Sequence, residues 1–178
     1  MSDAGTAFRI VDDWPGASPE SAAAVAAFWL AEGAFNQHAQ VQQRLPQLVA
    51  HALAPDGSVA GVCTAHAMTP PQLAQPMYYW RTFIGARWRS TPLVMQLLKH
   101  SCRLLEAHAR AHDFPCIGVL LELENDKFYS SLRKPVWWNP RFYYVGKSER
   151  GLEVRAYYFD GARLKSPGEV QRLGLPVR

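Results

Sequence analysis

The sequence has only three cysteines, Cys63, Cys102 and Cys116, set well apart. An odd, scattered set makes neither a disulfide framework nor a zinc-ligand spacing, and it points to a reducing compartment. Long apolar runs are also missing. Runs such as Cys116 to Leu121, and even the ten residues Ala22 to Ala31, are far short of the roughly 20 residues that cross a bilayer. The N-terminal stretch MSDAGTAFRIVDDW is acidic and lacks the apolar core of a signal peptide, so secretion is not expected. There is no internal repeat, no low-complexity linker, no Gly-x-Ser-x-Gly elbow, no intact phosphate-binding lysine loop and no dinucleotide fingerprint. Charged residues make up only 19% against 48% apolar, which excludes wholesale disorder. What is left is a chain of 178 residues, expected to fold as one cytoplasmic domain over 1–178 with no membrane partner. At this length a chain buries roughly 70% of its unfolded surface and needs no covalent staple.

The charge that is present is unevenly spread. Residues 81–110 carry Arg81, Arg87, Arg89, Lys99, Arg103 and Arg110 against Glu106 alone, a net +5. The first 35 residues carry Asp3, Asp12, Asp13, Glu20 and Glu32 against Arg9, a net −4. A basic block of this kind suits an anionic ligand, and equally an ordinary solvated helix face.

Periodicity and turn chemistry divide the chain. Ser18-Pro19-Glu20 opens a helix that runs through Phe28, Trp29 and Leu30 to a stop at Gly33. Segment 34–47 is rich in glutamine and reads as either a short helix or a loop. Leu48 to Leu53 and Val59 to Ala65 flank Pro55-Asp56-Gly57 and predict a hairpin. Met77 to Ile84 (MYYWRTFI) predicts a strand. Thr91-Pro92 supplies a cap and a first-turn proline for a long amphipathic helix. Its apolar face is Val94, Leu97, Leu98, Cys102, Leu105 and Ala109, and Gln96, Lys99, Arg103, Glu106 and Arg110 lie opposite. Cys116 to Leu121 reads as a strand buried on both faces. Asp126 to Leu132 reads as a short helix, and Arg141–Gly146 with Leu152–Phe159 as a second hairpin.

That order of elements, with the residues at its joints, resembles the GNAT superfamily of acyltransferases over roughly residues 18–160. The first hairpin carries Asp56-Gly57-Ser58-Val59-Ala60-Gly61, similar to the family's "dG-x-ivG". From Ile84 to Leu98 the chain falls in register with the family's phosphate loop, with Arg89 at the arginine position and Leu97-Leu98 at the terminal leucines. Val119 to Asn125 resembles the apolar fifth strand that ends in asparagine, and Phe142 to Gly146 the strand after it. Both loop glycines are replaced, by Pro92 and Val94, so one N–H donor is lost and the entry is tighter. The resemblance implies an α/β (α+β) fold: a mixed, mostly antiparallel, twisted sheet of six to seven strands flanked by helices. It implies an acetyl-CoA or other acyl-CoA co-substrate and no metal. Thr82, Phe83, Ile84, Arg87, Arg89, Ser90, Thr91, Leu93, Val94 and Asn125 would then hold the donor, Arg87 and Arg89 by charge-assisted bonds unless they face solvent. The family's tyrosine acid is replaced by Leu132, and Tyr129 and Tyr143 stand near it out of register.

Acyl transfer to an amine also needs a base. Glu122 and Glu124 project to one side of the buried strand and are the candidates, along with His66; the alternative is that the two carboxylates pair with neighbouring arginines. His108 and His112, four apart beside Asp113, have metal-ligand spacing, but cations at a helix C-terminus are favoured in any case. Trp137-Trp138 would wall an apolar pocket or pack in the core. The expected partners are a small-molecule or protein amine acceptor, with acyl carrier protein as the alternative donor and a homodimer through sheet edges as a further possibility. A non-catalytic binding module remains open, and no nucleic-acid partner is expected, at the basic block or elsewhere.

Overall fold

A computed structural model describes residues 7–124 and 133–177. Its seven strands are β1 (Arg9–Asp12), β2 (Leu48–Leu53), β3 (Val59–Met68), β4 (Met77–Ile84), β5 (Gly118–Glu122), β6 (Tyr143–Lys147) and β7 (Glu153–Tyr158). The described α-helices are α1 (Pro19–Ala31), α2 (His38–Arg44), α3 (Leu93–Ala111) and α4 (Pro167–Leu173). The strands form one sheet in the order β1-β2-β3-β4-β5-β7-β6. Pairs β1/β2, β2/β3, β5/β7 and β6/β7 are antiparallel, whereas β4 and β5 are parallel, Tyr78 opposite Val119 and Tyr79 opposite Leu120. A parallel neighbour needs a crossover, and α3 supplies it.

The chain divides into two compact units. One contains the residues up to Ala65 together with Arg81–Ser101; the other contains His66–Trp80 and the residues from Cys102 onward. In the first unit Ser18 caps α1, its Oγ accepting the Ser21 N–H at 3.1 Å. Val25, Phe28 and Trp29 of α1 then pack with Val41, Leu48 and Val62 into one core cluster. In the second, Met77, Ile117, Leu120, Val154 and Ala156 form another. The face of α3 predicted from its spacing is buried: Leu97, Leu98, Cys102, Leu105 and Ala109 are nearly inaccessible, and Leu93 joins them. Glu106, assigned to the polar face, is drawn inward, where its carboxylate accepts the Tyr157 hydroxyl at 2.7 Å and the Asp160 N–H at 3.0 Å. Burial first, and that carboxylate second, push the Tyr157 phenol well above its ordinary range.

Two elements were not expected, and one alternative left open is resolved as a short helix. Strand β1 (RIVD) was not expected, because four residues carry too little alternation to read. Segment 34–47 holds α2 and a short 3₁₀ turn, Leu45–Gln47. Helix α4 was also unexpected, although Ser166 and Glu169 form a reciprocal capping box at its start. The expected helix over 126–132 lies outside the described residues.

Gly118 begins β5 where only glycine fits: a Cβ there would stand 2.1 Å from the Tyr157 carbonyl oxygen of β7 and 2.9 Å from the Met77 methyl. The obstacle is backbone, so the strands themselves would have to part. Gly118→Ala should therefore cost about 1–3 kcal/mol, a fall in melting temperature of roughly 2–12 °C for a chain of this length. Thermal unfolding followed by circular dichroism reads the change, and an unchanged melting temperature would contradict the packing described.

Candidate functional site

The connection from β4 to α3 lies wholly in the first unit, and most of the residues expected to hold the donor are on it. Gly85 leaves β4 with its N–H on the Ala60 carbonyl at 2.9 Å. Ala86 donates its N–H to the Glu32 carboxylate at 2.9 Å. A 3₁₀ turn, Ala86–Trp88, follows, closed by Trp88 N–H on the Gly85 carbonyl at 2.8 Å. The Thr91 N–H reaches the Trp88 carbonyl at 3.1 Å, and the Thr91 hydroxyl donates to the same carbonyl at 2.7 Å while accepting the Leu93 N–H at 3.4 Å. Thr91 is thus the cap predicted for α3, with Pro92 at its first position.

The backbone donors a phosphate loop would present are therefore largely committed. Thr91 and Leu93 donate inside the loop, and Pro92 has no N–H. Leu93 is fully buried, so its side chain serves the core. Phe83 packs edge-on to Phe28, and Thr82 Oγ1 donates to the Val62 carbonyl at 3.1 Å. Ser90 is exposed and Val94 half-buried. The two arginines remain. Arg87 is exposed, stacked over Trp88 at 4.4 Å and 3.5 Å from Asp56, whose carboxyl is held low by hydrogen bonds from Ser58 and then by Arg87. Arg89 donates Nε to the Ile84 carbonyl at 3.1 Å and lies over Phe83. An exposed ion pair such as Arg87–Asp56 is screened by solvent and yields readily to a stronger anion.

The carboxylates lie in the second unit. Glu122 ends β5, Glu124 follows it, and a single nitrogen of Arg150 reaches both, at 3.4 and 2.8 Å. They converge as the strand alternation predicts, but on an arginine carried by the β6–β7 turn. Glu124 holds the Arg150 guanidinium more firmly protonated, with Glu122 and the neighbouring Tyr79 adding to the effect. His66 packs its ring 5.5 Å from that of Tyr79.

No protein-family model matches the chain, and no curated protein matches its sequence. Solved structures do match. A GNAT-family acetyltransferase from Streptococcus pneumoniae aligns with a TM-score of 0.58 over 86% of this chain and 99% of its own, at 14% identity. A ribosomal-protein-S5-alanine acetyltransferase from Vibrio fischeri aligns at 0.55 over 88% and 94%, at 9% identity. A GNAT-family acetyltransferase from Listeria monocytogenes aligns at 0.51 over 89% and 99%, at 16% identity. The chain has the GNAT fold.

Within the GNAT fold the remaining candidates disperse. Asn125 and Tyr129 lie outside the described residues. Tyr143 lines a separate cavity with Arg141, Tyr157 and Tyr158. His108 and His112 stack at 4.2 Å, with His112 Nδ1 on the His108 carbonyl, and the described residues hold no group of three metal-ligating side chains. Trp137 is buried under the Arg155 guanidinium, whereas Trp138 is exposed. Arg150, Tyr79 and Glu32 are the participants that sequence reasoning missed. Arg150 sits in a charged turn, KSERG, where nothing distinguishes it from a solvated residue, and Glu32 closes a contact 54 positions away. Because Thr91 alone caps α3, Thr91→Val should cost about 0.5–2 kcal/mol, a drop of roughly 1–8 °C in melting temperature. Thr91→Ser should stay near the parent value, and equal losses in both variants would refute the capping role.

Proposed function

We propose that the protein is an acyltransferase that moves an acyl group from acyl-CoA, with acetyl-CoA as the working donor, to an amine by direct transfer. The observation that carries this reading is the pair of arginines on the β4–α3 connection of a GNAT fold, immediately before a helix whose N-terminal end favours anions. Arg87 and Arg89 supply the positive charge that the committed loop N–H groups do not. CoA supplies a thioester. The amine nitrogen bonds to its carbonyl carbon, the carbon–sulfur bond breaks, the amine gives up a proton and the thiolate takes one.

On this reading Glu122 is the stronger candidate for the base, since its carboxyl is mostly shielded while Glu124 is open to solvent. Arg150 must release it before it accepts a proton. Tyr143 keeps no assigned role, because it lines the separate cavity.

A second reading follows from the loop hydrogen bonds: a donor carried on an acidic acyl carrier protein would use the exposed Arg87 and Arg89 without needing a backbone cradle. Thermal unfolding with added thioesters separates the two. Acetyl-CoA at 100 times its dissociation constant should add about 2.7 kcal/mol, raising the melting temperature by roughly 5–11 °C, and Arg89→Ala should abolish most of that shift. A shift produced only by an acylated carrier protein favours the second reading. No response to either donor contradicts both.

A further inference from the structure

The aromatic side chains most open to solvent lie outside the donor loop, in the second unit. Residues 133–147 read RKPVWWNPRFYYVGK, with four cations and no acid. Strand β6 exposes both of its faces, and exposed aromatic side chains gather here: Trp138 at 72%, Tyr144 at 44%, Tyr158 at 39% and Tyr143 at 37%. Arg141 stacks on Trp138 at 5.0 Å, and the rings of Tyr143 and Tyr158 meet at 6.3 Å. Together Arg141, Tyr143, Tyr157, Tyr158 and Phe159 wall an open cavity of about 590 Å³. Among the described residues no carboxylate pairs with Lys134, Arg141 or Lys147.

We propose that this face binds single-stranded nucleic acid, its bases stacked on Trp138, Tyr143 and Tyr158 and its phosphates on Lys134 and Arg141. Alternating π faces and unpaired cations suit a flexible polyanion that carries flat rings, and such recognition tolerates any base. A second copy of the chain fits less well. The outer edge of β6 is already used where Val136 bridges to Tyr143 and Tyr144 donates its N–H to the Pro135 carbonyl at 2.8 Å. A two-fold interface would also set these cations against their own copies. Asp160, exposed at the cavity rim, is an unfavourable charge for a phosphate and marks where the strand would turn away.

The test is fluorescence anisotropy of a labelled oligothymidine about 16 nucleotides long, titrated at several salt concentrations with the full chain. Two neutralised phosphates predict a slope of log affinity against log salt of about −1.4, at about 0.7 per contact. Trp138→Ala should weaken binding about 5- to 150-fold, the range for one lost stacked base. Arg141→Glu should weaken it and flatten the slope. The melting temperature of each variant should match the parent, both positions being exposed, and acetyl-CoA in excess should leave the oligonucleotide bound. The proposal is overturned by absence of binding at low salt or by displacement with acetyl-CoA. It is also overturned by unchanged affinity in Trp138→Ala together with equal competition from heparin, a polyanion without bases. Self-association in sedimentation that Trp138→Ala abolishes would assign the face to a second copy instead.

Discussion

One backbone hydrogen bond, from Gly85 N–H to the Ala60 carbonyl, fixes where the chain leaves β4 and hence where α3 begins. Gly61, next to Ala60 on β3, has no side chain to hold the neighbours off: an added Cβ would stand 2.7 Å from Ile84 and 3.2 Å from Leu93. The strand end and the first turn of α3 therefore close onto β3 through Ile84, Leu93 and Leu97. Glu32, at the end of α1, takes the next N–H along, so a helix terminus and a strand end meet at the same short stretch of chain.

This economy shapes what the connection offers a ligand. A loop whose N–H groups point outward binds an anion by backbone, at no cost in side-chain order. Here Trp88, Thr91 and Leu93 spend their donors within the turn, and the positive charge comes from two arginines held on rings and carbonyls. Side-chain charge is more sensitive to salt and less demanding in geometry than a backbone cradle. In the other unit the same pattern recurs with opposite sign: two glutamates that converge at a strand end are matched by Arg150 from a turn.

The sheet, the hairpins and α3 were legible in the sequence because each carries a periodicity or a turn signal of its own. The helix cap at Thr91 and the buried strand from Cys116 onward behave as their residues predict, although the strand proper starts at Gly118. Strand β1 was not legible, since it exists only through its register with β2. The β4–α3 connection was legible as residue types and not as hydrogen bonds, because no local pattern tells that the Thr91 hydroxyl turns back to Trp88. Arg150 was missed for a related reason: its partners lie 26 and 28 positions away and reach it only once β5 and β7 are paired. Charge counting drew attention to residues 81–110, yet the exposed aromatics interleave with the cations of 133–147.

The central claim is that the turn after β4 receives an anionic thioester through arginine side chains while keeping its internal hydrogen bonds. Amide and guanidinium chemical shifts followed by NMR during an acetyl-CoA titration test it directly. The account predicts large changes at the Arg87 and Arg89 side chains, with the hydrogen-bonded Gly85 and Thr91 amides as protected from exchange as in the free protein. Loss of that protection, or shift changes confined to residues remote from 84–94, would contradict it.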